Sequence, residues 1–184
     1  MTIRRRDAVR TRAAILKAAQ EAFATLGYMQ AGVREIAAEA GADPALVRRY
    51  FGSKQKLFEA ALAESLEIDV MLATPRERFG AHVVAYFLDD DARKRVNPLP
   101  IMILAIADDA ARAIALDLLQ RQIIEPLGTW IGGLDGIARA ARVSMLCSGF
   151  FTYWKILPLN VLSDGVDLET RRWLENSLQT AIDR

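Results

Sequence analysis

The sequence has very little of the two residue types that build most metal and redox sites, with one cysteine and one histidine among 184 residues. A single cysteine, Cys147, excludes an internal disulfide framework and a cysteine-ligated zinc site, and such usage is typical of a reducing compartment. His82 alone leaves little for a histidine-ligated metal site or a serine-type catalytic triad. We therefore expect a cytoplasmic protein that is not an enzyme and holds neither a metal nor a cofactor.

A strong net charge and an apolar leader are also missing. The chain has 24 Lys and Arg against 23 Asp and Glu, and the opening MTIRRR reaches charged positions at once, so no secretory signal is expected. Hydrophobic residues nevertheless make up 52% of the chain and charged residues 26%, which is the composition of a folded protein with a sizeable core. The length allows one domain or two small ones.

The two charge signs are distributed unevenly along the chain. Residues 1–56 carry eleven Lys or Arg against five Asp or Glu, a net charge of +6, whereas residues 57–184 carry thirteen against eighteen, a net charge of −5. This asymmetry predicts that only the first part meets a polyanion such as DNA. The alternative is a chance asymmetry on solvated helix faces.

Helical periodicity runs through nearly the whole chain, and the alternation that marks strands is absent, so the predicted fold class is all-α. Gly27, Gly41 and Gly52 are placed to end helices, and Asp43 and Ser53 are placed to cap the following ones. The first helices are predicted over Ala8–Leu26, Val33–Ala40 and Pro44–Tyr50, with a fourth from Ser53 to Leu66. The second and third, around a turn headed by glycine, have the shape of a helix-turn-helix.

The remainder is also predicted to be helical and more apolar. The predicted helices run from Thr74 to about Asp89–Asp91, from Pro98 to Ala107, from Asp108 or Asp109 to Ile131 with a kink at Pro126, from Ile137 to Leu157, and from Asp167 to Ile182. We interpret the two acidic clusters as a helix end and a helix cap rather than a cation site. The apolar segment Val143–Leu162 contains Lys155 and Pro158, which favours a buried helix over a membrane span.

One stretch of the N-terminal part carries specific motifs. These are ILKAA from Ile15, FATLGY from Phe23, VREIA from Val33, Ala40-Gly41, and above all YFGSKQKLF from Tyr50. With these motifs, residues 15–62 resemble the DNA-binding domain of the TetR family of transcriptional regulators. The resemblance implies a three-helix DNA-binding domain with a helix-turn-helix over residues 1–56, followed by a helical ligand-binding and dimerisation domain over residues 57–184. It also implies a homodimer that represses at a palindromic operator and is released by a small apolar or amphipathic ligand.

The residues expected to contact DNA follow from groove chemistry. A helix entering the major groove needs compact residues at its start and long polar residues that reach bases and phosphates. A flexible basic arm at the N-terminus is a further expectation, with a solvated tail as the alternative. The candidates are Arg34, Pro44, Ala45, Leu46, Arg48, Arg49, Tyr50, Lys54, Arg5 and Arg6.

The sequence departs from the family pattern at three places. Gly32 stands where members usually have a Thr or Ser that caps the second helix, and Arg48 stands where many have Tyr. Ala42-Asp43 replaces the usual Val-Ser, which keeps a cap but places a carboxylate close to phosphates. These departures bear on which operator sequence is recognised rather than on DNA binding itself.

Candidates for the other two roles are less specific. Mixed aromatic and apolar walls with few polar groups suit a small-molecule site, although His82 on an apolar face is commonly an interior histidine. The ligand candidates are Phe79, His82, Tyr86, Met102, Ile106, Phe150 and Trp154. The dimer candidates, for which the monomer's own core is the alternative, are Met145, Gly149, Thr152, Tyr153, Trp173, Leu174 and Leu178.

Two other classes of function remain open at this stage. The chain could be a DNA-binding regulator without a small-molecule ligand, controlled by a protein partner or by its own level. It could also be a small all-α enzyme or ligand carrier that merely resembles a regulator.

Overall fold

The computed structural model describes the backbone of residues 2–89, 96–162 and 164–183, with side chains from residue 7 onward. Helices account for most of this part of the chain, and no strand occurs in it, so the all-α prediction is confirmed. The α-helices are α1 Thr2–Gln30, α2 Val33–Glu39, α3 Pro44–Phe51, α4 Lys54–Ser65, α5 Ile68–Leu72, α6 Phe79–Leu88, α7 Pro98–Ala105, α8 Asp109–Leu119, α9 Glu125–Ile131, α10 Gly136–Phe151 and α11 Leu168–Asp183. None of the helices described is long and apolar enough to cross a membrane.

The chain divides into two compact units. Unit 1 comprises Met1–Leu66 and Val96–Leu118, and unit 2 comprises Glu67–Arg95 and Leu119–Arg184. Unit 1 therefore contains α1 to α4 together with α7 and nearly all of α8, which the chain reaches only after passing through part of unit 2.

The core of unit 1 forms around the apolar stripe of α1. Ile15, Ala19 and Phe23 are fully buried and recur at steps of four, as one face of an α-helix requires. Phe23 packs edge-on against Phe58 of α4, with ring centroids 5.1 Å apart. Each fully buried side chain of this size stabilises the fold by about 1.5–3 kcal/mol relative to exposure, so this cluster fixes α1 against α4.

The N-terminal end of α1 differs from the sequence prediction, whereas the break at Gly27 agrees with it. The helix begins at Thr2, so the basic segment expected to be a flexible arm has a helical backbone. The reason is local: no glycine or proline interrupts the segment, and Asp7 pairs with Arg10 one turn later. At the other end, Gly27 has a φ of +74°, a conformation that costs glycine little, so the predicted break there is confirmed.

The turns of the helix-turn-helix are built as predicted. Gly41 adopts a φ of +61° after α2, and the Asp43 carboxylate accepts a hydrogen bond of 2.7 Å from the Ala45 amide at the start of α3. Gly52 ends α3 with a φ of +82°, and the Ser53 hydroxyl accepts from the Lys56 amide at 3.2 Å. These caps satisfy amides that the helices leave unpaired, which fixes the short α3 at both ends.

Unit 2 is held by close helix crossings. At Gly80 of α6, a Cβ would stand 2.1 Å from the Glu175 carbonyl oxygen of α11, so only glycine fits there without a backbone shift. The Gly80 amide also donates to the Gln179 side chain at 3.1 Å. Gly128 of α9 and Gly136 of α10 make a second crossing of this kind, because a Cβ on Gly136 would lie 2.4 Å from the Gly128 carbonyl oxygen.

The helix boundaries in unit 2 correct several sequence expectations. The short helix α5 was not predicted, and the helix expected from Thr74 becomes α-helical only at Phe79, after a 3₁₀ turn over Arg76–Arg78. Pro75 provides no amide donor, so the chain forms a tighter 3₁₀ turn before the regular α-helix begins. Of the acidic residues expected to end this helix, Asp90 and Asp91 lie outside the described residues.

Two π-helical turns, Gln120–Ile124 and Thr152–Ile156, each precede a proline. Pro126 was expected to kink the helix that contains it. The structure instead has a wider, π-helical turn just before Pro126. A proline leaves the carbonyl four residues earlier without a donor, and a change of turn type accommodates that loss. The helical segment from Asp109 to Ile131 therefore continues through this position.

Candidate nucleic-acid interface

The helix α3 presents one polar and one apolar face. Val47 and Phe51 are buried in the core of unit 1. Ala45, Arg48 and Arg49 are exposed on the other side. A short helix anchored by two buried side chains presents its arginines from a fixed backbone, which lowers the ordering cost of binding.

The remaining members of the predicted recognition surface lie around α3. Pro44 is exposed at its first position, Leu46 and Tyr50 are half-buried, and Arg34 is exposed on α2. Unit 1 therefore brings these residues together with Arg48 and Arg49. Arg5 and Arg6 belong to the helical backbone of α1, and their side chains lie outside the described residues.

The start of α2 shows what replaces the missing cap hydroxyl. Gly32 is the N-cap residue, with a φ of −85° and a ψ of 141°, and it makes no side-chain capping bond. The carboxylate of Glu35 occupies the adjacent space, since a Cβ on Gly32 would lie 1.8 Å from its Oε2 atom. A negative charge near the positive end of a helix is favourable within the protein. Beside a phosphate, the same charge would be repulsive.

Lys54 is held in place by two groups of unit 1. Its Nζ atom lies 4.7 Å from the centroid of the Tyr28 ring and donates to the Met29 carbonyl oxygen at 3.3 Å. Burial lowers the pKa of Lys54, while the negative charge of Asp108 acts in the opposite direction. The ammonium group is therefore positioned before any phosphate arrives.

A second cation beside α3 was absent from the predicted set of site residues. The guanidinium of Arg12 lies 5.0 Å from the centroid of the Phe51 ring, at the C-terminal end of α3. It is exposed and adds positive charge next to Tyr50. No local spacing reveals this contact, because α1 and α3 are brought together only by the core of unit 1. Lys54 and Arg12 thus each lie on an aromatic ring of unit 1.

The predicted ligand residues are divided between the units. Met102 packs against the core of unit 1, and Ile106, also in unit 1, is exposed. The other five lie in unit 2, where Phe79 contacts the Trp130 ring at 5.2 Å. The set therefore does not form one wall within either unit.

His82 and Tyr86, the polar residues of the predicted ligand set, connect α6 to the segment that contains Glu67 and Val70. The His82 Nε2 atom hydrogen-bonds with the Val70 carbonyl oxygen at 2.8 Å, and the Tyr86 hydroxyl donates to the Glu67 carboxylate. These contacts give both side chains a structural role within unit 2.

A continuous aromatic cluster in unit 2 includes two residues that the sequence did not single out. Phe87 meets Phe151 at 4.5 Å, and Phe150 contacts Trp154 at 5.2 Å. Phe150 and Phe151 are 6.0 Å apart, which joins the two pairs. Phe87 and Phe151 could have been suggested by their place beside Tyr86 and Phe150, but their mutual contact depends on how α6 and α10 cross.

The helices α10 and α11 leave an apolar groove open to solvent. It has a volume of about 700 Å³ and is lined by Arg142, Met145, Leu146, Trp173, Asn176, Ser177, Thr180 and Ala181. Met145 is 71% exposed and Trp173 is 58% exposed, which is unusual for such large apolar side chains.

The other predicted dimer residues fall into two groups. Tyr153 is exposed, and Gly149 has open space where a side chain would project, so both are accessible. The Thr152 hydroxyl donates to the Ser148 carbonyl oxygen of its own helix. Leu174 and Leu178 are fully buried among unit 2's own side chains, so these two belong to the monomer core, which was the stated alternative.

An all-α chain whose helix-turn-helix displays arginines from a rigid second helix is typical of DNA-binding transcriptional regulators. The family model for bacterial regulatory proteins of the tetR family matches residues 15–61 of the chain. The family model for the tetracyclin repressor-like C-terminal domain matches residues 77–182. The chain therefore belongs to the TetR family.

Solved structures share the complete fold. A TetR-family regulator from Streptomyces coelicolor A3 is 24% identical, with 96% of each chain covered and a TM-score of 0.59. A TetR-family transcriptional regulator from Rhodococcus sp. is 18% identical, with 95% of this chain and 100% of that chain covered and a TM-score of 0.71. At these identities the likeness concerns the fold alone. No curated protein matches the chain.

Proposed function

We propose that this TetR-family chain is a sequence-specific repressor that binds a palindromic operator in the cytoplasm as a homodimer. The observation that carries the proposal is the exposed pair Arg48 and Arg49 on α3, which Val47 and Phe51 anchor from behind. Arginine reaches both atoms of a guanine edge in the major groove, and Lys54, Arg12 and the other surrounding cations meet phosphates.

The groove between α10 and α11 supports the proposed homodimer. Large apolar side chains exposed on one surface mark a protein interface, and a two-fold interface brings the same patch of each subunit together. Of the predicted residues, Met145 and Trp173 line the groove, and Gly149 and Tyr153 are accessible further along the same helical segment as Met145. A dimer of this kind presents two α3 helices, which matches the two half-sites of a palindrome.

The aromatic cluster of unit 2 supports the proposed response to a small apolar or amphipathic ligand. Tyr86, Phe150 and Trp154 from the predicted set lie in it or beside it, together with Phe87 and Phe151. To release the operator, the ligand has to prefer the conformation that does not bind DNA, by about 1–3 kcal/mol for ordinary allosteric coupling.

A regulator without a ligand remains the second candidate, and one observation favours it. The rings of the aromatic cluster contact one another directly, with Phe87 and Phe151 only 4.5 Å apart between centroids. A ligand would therefore have to separate side chains that already pack together. Under this alternative, a protein partner or the level of the chain itself controls operator binding.

The first experiment is the selection of bound duplexes from a random DNA pool by the purified chain, followed by sequencing. We expect an enriched inverted repeat whose half-site spacing reports the distance between the two α3 helices. Failure to enrich any sequence at low salt, without an added small molecule, would contradict sequence-specific binding.

Substitution of Arg48 and Arg49 by alanine tests which surface reads the selected repeat. We expect the double variant to lose about a hundred-fold in affinity, because each arginine contact contributes about 1–3 kcal/mol. Both side chains are exposed, so the unfolding midpoint is expected to stay within experimental error. Arg172→Ala, an exposed arginine on α11, is the matched control. Equal losses in both variants would indicate a nonspecific charge effect.

The dimer is tested by placing a charge in the groove. Trp173→Glu is expected to weaken self-association by about 2 kcal/mol or more, since a large aromatic side chain at the centre of an interface carries much of its energy. Sedimentation over a range of concentrations measures this change. Unaltered dimerisation of the variant would place the interface elsewhere on the chain.

A further inference from the structure

An acidic residue outside the helix-turn-helix lies in the same unit as the recognition surface. Asp108 stands between α7 and α8, is half-buried, and caps α8 by accepting a 2.8 Å hydrogen bond from the Ala111 amide. It belongs to the segment that matches the C-terminal family model, yet it packs within unit 1. From the sequence alone, this residue is predicted only to cap a helix.

The packing of α7 on α1 brings Asp108 to the surroundings of Lys54. Leu104, near the end of α7, packs closely on Gly27. A Cβ added to Gly27 would lie 3.1 Å from the Cβ atom of Leu104. The two residues after Gly27 are Tyr28 and Met29, which hold the Lys54 ammonium through a ring contact and a carbonyl hydrogen bond. The junction of α7 and α8 therefore lies beside the segment that positions Lys54.

The charge of Asp108 affects the pKa values of two other groups, Tyr28 and Lys54. Burial raises the pKa of Tyr28, and the negative charge of Asp108 raises it further. For Lys54, burial lowers the pKa, and the charge of Asp108 partly reverses that effect. Tyr28, Lys54 and Asp108 thus form one electrostatic cluster.

We infer that Asp108 is a counter-charge within the protein that partly neutralises Lys54 and so weakens operator binding. The inference rests on the proposed function, because it assumes that Lys54 meets a DNA phosphate. A phosphate arriving at Lys54 gains less when an acid already offsets the charge, and it is also repelled by that acid. The effect concerns the phosphate backbone, so it changes affinity for all sequences and leaves the preferred sequence unchanged.

The neighbouring acid provides a matched control. Asp109 is next in sequence, but its side chain is 92% exposed and pairs with Arg112 at 2.7 Å. Solvent and this partner screen its charge, whereas Asp108 is half-buried near Lys54. Substitution of either residue by Asn removes the same formal charge. Asn at 108 also preserves the cap of α8, because its side-chain oxygen accepts the same hydrogen bond.

The experiment compares the wild-type chain, Asp108→Asn and Asp109→Asn on two duplexes of equal length, the selected repeat and a scrambled sequence. We expect Asp108→Asn to bind both duplexes roughly three-fold more tightly at low salt, with the gain falling as salt screens the cluster. Asp109→Asn should match the wild type. An unchanged or reduced affinity of Asp108→Asn, or an equal gain in both variants, overturns the inference.

A double-mutant cycle with Lys54→Gln tests whether the effect passes through the lysine. If the inference is correct, Asp108→Asn tightens binding much less in the Lys54→Gln background, because a phosphate that Lys54 no longer holds lies further from residue 108. An undiminished gain there shows that Asp108 acts through another group and overturns the proposed pair.

A measurement without DNA separates the inference from the proposed function. Titration of tyrosine ring carbons by NMR should show a lower pKa for Tyr28 in Asp108→Asn than in the wild type. An unshifted Tyr28 overturns the proposed cluster, whatever the DNA result. If Tyr28 shifts but the wild-type chain binds neither duplex, the cluster exists and the proposed DNA-binding function is the part that fails.

Discussion

The two units of the chain use their charged residues in opposite ways. In unit 1, Arg48 and Arg49 face solvent and are available to a partner. In unit 2, Arg139 donates to the Gly132 and Ile182 carbonyl oxygens, at 3.1 and 3.0 Å, and Arg76 also donates to Ile182. These carbonyls lie at the C-terminal ends of α9 and α11, where helices leave acceptors unpaired and carry partial negative charge.

The same residue type thus has different surroundings in the two units. An arginine that projects from a short anchored helix is available to an external partner, and we propose that Arg48 and Arg49 bind DNA in this way. An arginine that is 11% exposed and faces helix ends, as Arg139 is, ties its own unit together. Substitution of an exposed arginine of α3 in unit 1 should therefore affect DNA binding. Substitution of Arg139 in unit 2 should affect stability.

The largest expected effect in unit 2 concerns the single cysteine, Cys147, which is half-buried on α10. Burial raises the pKa of the Cys147 thiol to about 12, so at pH 8 very little of it is thiolate, the form that reacts. The higher nucleophilicity of a basic thiolate offsets part of this loss, so we expect a disulfide reagent to react roughly a hundred-fold more slowly than with the unfolded chain.

The rate of reagent uptake in native buffer and in denaturant measures this protection. A native reaction as rapid as that in denaturant would show that solvent reaches the half-buried thiol freely. A rate that falls further when an apolar ligand is added would support the proposed ligand site.

Gly80→Ala should destabilise unit 2 by about 2–3 kcal/mol, because its new Cβ would meet backbone of α11 rather than a flexible side chain. Helix propensity alone predicts the opposite sign, since alanine is favoured over glycine by about 1 kcal/mol in a helix. Chemical unfolding followed by circular dichroism measures the change. Ala81→Gly, at the exposed neighbouring position, should cost only about 1 kcal/mol. A stabilised Gly80→Ala variant would show that the crossing is looser than described.

Gly32→Thr should have the smallest effect and lies in unit 1. The backbone of Gly32 is extended, so threonine can adopt it, and the new side chain displaces only the flexible end of Glu35. We expect a gain in stability of a few tenths of a kcal/mol from the restored cap, together with tighter DNA binding as the carboxylate moves away. Thermal unfolding and binding to the selected duplex check both effects, with Gly32→Ala as the control that lacks the hydroxyl.

Local chemistry explains which elements could be predicted. The caps at Asp43 and Ser53 and the stops at Gly27, Gly41 and Gly52 act on residues within four positions, so their sequence patterns are sufficient. The helical arm and the 3₁₀ turn before α6 were not foreseen, because helix propensity and turn type are weak signals without tertiary context. The contact of Arg12 with Phe51 was missed for a different reason, since it joins two separate helices.

By itself the sequence determined the all-α class, the family, the helix-turn-helix and the exposed arginines of α3, because each depends on periodicity or on neighbours along the chain. Only the tertiary structure decided that Leu174 and Leu178 are core residues, that Met102 and Ile106 belong to unit 1, and that Leu104 of α7 packs on Gly27. Periodicity tells which face of a helix is apolar, but not which other helix covers it. That choice depends on the packing of segments distant in sequence.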